Sequence, residues 1–205
     1  INYLAQIVKP IFTNDKTGLV QGNSTPLPAR TLFGSVLKVQ TDIYHNISIK
    51  NPNVSTWTTS GRGGRAFARH VYKKLRWPNA VPEDSYAALW CRSCGISTVF
   101  QESAVCNFRC PETFSDFLKA RTKTASGGKS LERYFATDTI QKVYTRPLHL
   151  RALMFAEFIL QHPFYASYYL WLLFVLKFLQ SSKQFSDFWE MTISTKNLNT
   201  MNYGK

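Results

Sequence analysis

The chain has 205 residues and a mass of 23.5 kDa, room for one domain with a tail or two small ones. A hydrophobic share of 44% supports a buried core and excludes a wholly disordered chain. Lysine and arginine number 25 against 12 acids, and a net charge of +13 calls for an anionic counter-surface: nucleic acid, an anionic membrane or an acidic protein.

Aromatic residues, at 15%, stand beside those cations and suit base stacking or packing inside a large assembly better than a small metabolic enzyme. Four cysteines do not make a disulfide scaffold. The sequence opens at Ile1 with no charged leader and apolar stretch, so any targeting segment is expected to have been removed already.

Residues 1–33 read as an irregular arm, punctuated by Pro10, Gly18, Gly22, Pro26 and Pro28. From Leu37 the pattern changes. Leu37, Val39, Thr41, Ile43, His45, Ile47 and Ile49 share one parity against Lys38, Gln40, Asp42, Tyr44, Asn46, Ser48 and Lys50. Such alternation predicts a half-buried strand, or a hairpin turning near Tyr44-His45-Asn46, closed by Asn51-Pro52-Asn53. Val54–Trp57 is predicted to return as another strand, with Trp57 as a packing residue.

Gly61-Arg62-Gly63-Gly64-Arg65 then forms a basic loop, followed by a helical run with Phe67, Val71 and Leu75 on one stripe. Pro78 and Pro82 break that run. Ser85–Cys94 reads as a short helix stopped by Gly95, and Ile96–Gln101 as a short strand. Pro111-Glu112 opens a helix through about Arg121. Thr122–Lys129, with Ser126-Gly127-Gly128, reads as a linker. Helical pattern resumes over Leu131–Tyr144 and Leu148–Phe178, broken at Pro163, before a polar tail from Lys196.

No acid lies between Asp42 and Glu83, while Lys50, Arg62, Arg65, Arg69, Lys73, Lys74 and Arg76 fall inside that window. A glycine-rich loop lets backbone N–H groups approach phosphates, and arginine forks add bidentate contacts. These seven residues are therefore the predicted phosphate contacts on RNA, against the alternative of a solvated basic face. The loop lacks the Gly-Lys-Ser/Thr ending of a nucleotide-hydrolysing P-loop.

Cys91, Cys94, Cys106 and Cys110 form C-x2-C-x11-C-x3-C, which reads either as four thiolates around a structural zinc ion or as ordinary buried thiols. Phe164–Phe178 carries only Lys177 as a charge, with Tyr165, Tyr168, Tyr169 and Trp171 clustered at one end. The run falls short of the ~20 apolar residues of an uninterrupted span, so a buried helical hairpin or protein-docking helix is expected in preference to a membrane segment. The four histidines are scattered without metal-ligand spacing, and nothing marks Glu102 and Glu112 as an acid–base pair.

The stretch Val39-Gln40-Thr41-Asp42-Ile43-Tyr44-His45-Asn46-Ile47-Ser48-Ile49 resembles the opening hairpin of the universal small-subunit ribosomal protein eleven family. Ser55-Thr56-Trp57-Thr58-Thr59-Ser60-Gly61 is similar to that family's Ser-Trp-Ser-Ser-Ala-Gly segment, and Gly61–Arg65 to its Gly/Lys/Arg loop. Ser85-Tyr86-Ala87-Ala88 and Gly95-Ile96-Ser97-Thr98-Val99 resemble its next helix opening and strand entry.

The resemblance covers residues 36–121, with 66–84 as an insertion and 122–205 as an extension, a divergence that points to a mitochondrial ribosome in the matrix. It implies a non-enzymatic structural protein of the small subunit, with ribosomal RNA and neighbouring ribosomal proteins as partners. The expected architecture is α/β: a small sheet with an N-terminal β-hairpin and packed helices, plus an α-helical C-terminal extension. Its parts are an arm (1–33), an RNA-binding domain (34–121), a linker (122–130) and the extension (131–205). The alternatives are a membrane-embedded accessory subunit of an organelle respiratory complex and a zinc-binding interaction module.

Overall fold

The computed structural model describes residues 2–51, 64–79, 81–144 and 147–181, and regular structure begins earlier than the sequence pattern predicts. The expected irregular arm is helix α1 (Tyr3–Thr13) followed by strand β1 (Thr17–Pro26). Asn2 starts α1 by accepting the Leu4 N–H on its side chain at 3.0 Å. Strand β1 escapes a hydrophobicity-based reading because half of it is polar, yet every residue from Thr17 to Ser24 is buried.

β1 is the middle strand of a three-stranded sheet in the order β2 (Arg65–Phe67), β1, β3 (Ser97–Phe108). It runs antiparallel to β2 and parallel to β3. Leu19 and Val20 point to opposite faces, as strand geometry requires. Val20 meets Ile7 of α1 and Ala104 of β3. Leu19 meets Val71 of α3 (Arg69–Lys74) together with Ala88 and Cys91 of α4 (Glu83–Ser93). The register slips between Gly22 and Asn23, where β3 jumps from Gln101 to Val105. That bulge turns the Glu102 carbonyl toward Asn23, whose Nδ2 donates to it at 3.0 Å.

The predicted strand or hairpin over residues 37–50 is instead helix α2 (Leu32–Lys50). Thr31 caps it, its hydroxyl accepting the Gly34 N–H at 2.9 Å. At about 100° per residue, the odd positions that imitate a strand spread around the helix circumference. Burial reaches several sides of α2. Leu37 packs with Cys110 and Phe117, Ile43 and Ile47 pack with Leu150 and Phe158, and His45 reaches Asn23 of β1 at 2.7 Å. The Val54–Trp57 strand expectation lies outside the described residues.

α4 begins two residues earlier than expected and ends at Cys94-Gly95. Gly95 takes φ +66°, and the Ile96 N–H returns to the Cys91 carbonyl at 2.8 Å. Thr113, rather than Pro111, caps α5 (Phe114–Leu131), which runs straight through the expected linker. Gly127 has a packing role there: a Cβ at that position would stand 2.6 Å from Pro82 Cγ. Helices α6 (Thr137–Tyr144), α7 (Leu148–Gln161) and α8 (Pro163–Ser181) follow, with the break at Pro163 as predicted.

α7 and α8 pack against α2, and Arg121 of α5 ties in α8 by donating to the Tyr169 hydroxyl at 2.7 Å. Large apolar side chains such as Leu148, Leu160, Phe164, Phe174 and Phe178 remain exposed on these two helices. Among the described residues, no helix is long and apolar enough to cross a membrane. The coarse class is therefore mixed α/β, a small three-stranded sheet with eight helices among the described residues.

A buried ionic clasp fixes the start of α2 against the end of β3. Glu112 accepts the backbone N–H groups of Arg30 and Thr31 and the Thr31 hydroxyl, and lies 3.5 Å from the Arg109 guanidinium. Both charged side chains are almost fully buried. Removing one partner of such a pair strands the other, so Glu112→Ala is expected to cost about 3–5 kcal/mol in urea unfolding.

The His45–Asn23 contact titrates. Because Asn23 Nδ2 is committed to the Glu102 carbonyl, its Oδ1 faces His45 Nε2, which must carry the proton. Burial, partly opposed by Asn46, Asp42 and Glu102, pushes the His45 pKa below its ordinary 6.5. The unfolded chain then binds more protons than the folded one just below that value, so folding stability falls as the solution is acidified through and below 6.5. His45→Gln, which keeps a donor near the same place, is expected to flatten the fall below 6.5 in denaturant titrations.

Candidate active site

The first turn of α4 carries adjacent carboxylates, Glu83 and Asp84, directly after Pro82. Acids at a helix start are favoured by the unsatisfied N–H groups there. Asp84 is held at both oxygens. Its Oδ1 accepts the Ser85 N–H at 2.8 Å, and its Oδ2 stands 3.6 Å from Arg65 Nη2. The second separation is an ion pair longer than a hydrogen bond, which leaves Oδ2 a lone pair for another donor.

Arg65 in turn is aimed from below. Its Nε donates to Gln21 Oε1 at 3.0 Å, and Gln21 is completely buried in β1. The antiparallel register allows this, because Arg65 lies opposite Gln21. A polar chain therefore climbs from the centre of the sheet, through a largely buried guanidinium, to a carboxylate whose side chain is 37% exposed.

Tyr3 of α1 packs against the same strand junction, its hydroxyl close to Gly22 and Gly64. Burial raises its phenol pKa, with Cys106 adding to the rise while Arg65 and the Gly64 backbone oppose it.

The other acids are differently placed. Glu112 is buried in the clasp, Asp116 is buried in the first turn of α5, and Asp42 pairs with Lys38 one turn away on α2. Glu157 accepts from Gln161 on an exposed helix face. Asp84 combines solvent access with a fixed orientation and a cationic neighbour, the properties a working carboxylate needs.

The basic residues singled out from the sequence do not form one stripe. Arg65 is on a strand, engaged with Gln21 and Asp84, and Lys50 is exposed in the last turn of α2. Arg69, Lys73 and Lys74 are exposed on the six-residue α3, while Arg76 folds back to donate to the Lys73 and Leu75 carbonyls. Arg62 lies outside the described residues.

The cysteines are not gathered into a metal site either. Cys91 belongs to the core cluster beneath β1 and Cys110 to the cluster beneath α2, whereas Cys94 is exposed and Cys106 half-buried on β3. Among the described residues, no group of three or more His, Cys, Asp or Glu side chains could hold a metal ion. Burial, reinforced by Cys94, pushes the Cys91 thiol up to about 12, a protonated and unreactive state at neutral pH.

Sequence reasoning missed Gln21 and Asp84. The available signal was the Glu83-Asp84 doublet that ends the long acid-free window.

Residues 2–181 match the family model described as Glycosyl transferase family group 2, and the chain belongs to that family. No curated protein matches it. The family match overturns the ribosomal protein eleven resemblance, which rested on a supposed hairpin that is helix α2. With it fall the role in a ribosome, the non-enzymatic reading, and ribosomal RNA and ribosomal proteins as partners. The respiratory-complex and zinc-module alternatives do not agree with the family either.

Proposed function

We propose that this member of the glycosyl transferase family group 2 takes part in transfer of a sugar from an activated donor to an acceptor hydroxyl, with Asp84 as the base. The family match over residues 2–181 is the observation that carries the reaction class. The chemistry needs a carboxylate within reach of the acceptor. As the acceptor oxygen bonds to the anomeric carbon, the carbon–oxygen bond to the leaving group breaks, and the hydroxyl proton passes to the carboxylate.

Asp84 supports that role through three features. Ser85 fixes one oxygen, Arg65 restrains the rotation of the other, and the outer edge of the carboxylate is open. Arg65 is a positioning residue in this reading. It stands beside Asp84, and its orientation is set by Gln21. The result is an alignment that needs no rearrangement as the acceptor approaches.

The test uses the natural protein with a panel of nucleotide-activated and lipid-phosphate-linked sugars as donors. Asp84→Asn preserves size and the contact with Ser85, so the fold should persist while transfer drops by about 10²–10⁴-fold. Undiminished transfer by the variant would remove Asp84 from the mechanism. Absence of transfer by the wild type from every donor class would count against the reaction itself.

A further inference from the structure

A concavity lies at the opposite end of β1 from Asn23 and Ser24. Ile11 at the end of α1, Asp15 and Thr17 at the start of β1, and Ala68, Arg69, His70 and Lys73 at α3 line an open cleft of about 490 Å³. That volume is within the range of small-molecule sites. From Thr17 to Gln21 is four strand residues, roughly 13 Å, so the cleft is removed from the Arg65–Asp84 pair along the strand.

Three features define what the cleft accepts. Arg69, His70 and Lys73 bring a guanidinium, an imidazole and an ammonium to one wall, all exposed. No ion pair among the described residues engages Arg69 or Lys73. Asp15 lines the same cleft and is also exposed. Ile11 and Ala68 supply apolar surface.

We propose that this cleft is a binding site for a phosphorylated sugar or polyol. A phosphate monoester carries nearly two negative charges and three strong acceptor oxygens, which match Arg69, Lys73 and His70. A simple anion would gain nothing from Asp15 and would be repelled by it. A ligand whose other end bears hydroxyl groups turns that carboxylate into an acceptor, and its carbon skeleton covers Ile11 and Ala68. The combination of cation, carboxylate and apolar wall fits one molecule carrying phosphate and hydroxyls together. This site is independent of Asp84 and of the reading given to it.

Calorimetric titration of the full 205-residue chain tests the proposal with glucose 6-phosphate, glucose and inorganic phosphate at matched ionic strength. Glucose 6-phosphate should bind at roughly millimolar concentration or below, about tenfold more tightly than inorganic phosphate, and glucose should not register. Arg69→Ala and Lys73→Ala lie on the exposed wall and should each weaken binding about tenfold with the circular dichroism spectrum unchanged. Asp15→Asn should reduce glucose 6-phosphate to the affinity of inorganic phosphate and leave the latter unchanged or improved. Binding indifferent to Arg69→Ala and Lys73→Ala, equal binding of phosphate and its sugar ester, or no binding of either overturns the assignment.

Discussion

The structure depends on a central strand that is buried on both faces yet rich in polar side chains. Between Thr17 and Ser24, β1 has only Leu19 and Val20 as apolar anchors. Each polar group there has lost its water and must be satisfied by the protein or remain a standing cost. Gln21 recruits Arg65 from β2, and Asn23 recruits His45 from α2 and the bulged Glu102 carbonyl from β3. Those partners are what bring a neighbouring strand, a long helix and an irregular edge to their places. The Thr17 and Ser24 hydroxyls remain without a partner.

The same constraint shapes the candidate site. An apolar residue in place of Gln21 would pack well but give the Arg65 guanidinium no reason to lie across the sheet edge. Arg65 would then be free to reach solvent, as long basic side chains prefer, and Asp84 would lose its neighbour. Placing the amide inside the sheet makes the direction of a surface carboxylate depend on the pairing of β1 with β2. Three short elements thus hold the geometry through adjacent contacts, each limited by strand register or helix start. Such a site loses precision when the pairing shifts, even though its outermost residue sits on the surface.

Legibility from sequence followed the sources of burial. The end of α4 at Gly95 and the break at Pro163 were readable, because backbone conformation and the missing proline N–H act locally. Helix α2 was misread because its β-branched residues at odd positions imitate a strand, and only the packing of α7 and α8 shows why so much of its circumference is apolar. Strand β1 was missed because its stability comes from neighbours distant in sequence. Gly127 looked like a linker residue but makes room for Pro82, a contact that no local pattern encodes.

The charge pattern shows how composition misdirects when distance is ignored. The acid-free window from Asp42 to Glu83 appears to present an unneutralised cationic ribbon. In the fold its members part: Arg65 turns inward to Asp84 at the window's edge, Arg76 bends onto helix carbonyls, and Arg69 and Lys73 line a cleft with Asp15, more than fifty positions earlier in the sequence. Of these, Arg65 is paired with an acid from another element, and the rest part from it in space. An excess of +13 can therefore coexist with small sites of mixed charge, such as the pair in which Asp84 and the buried Gln21 amide fix the direction of Arg65. Mixed charge at close range favours small, polyfunctional ligands over a uniform polyanion, since one misplaced carboxylate repels every phosphate of the latter but serves as an acceptor for the hydroxyls of the former.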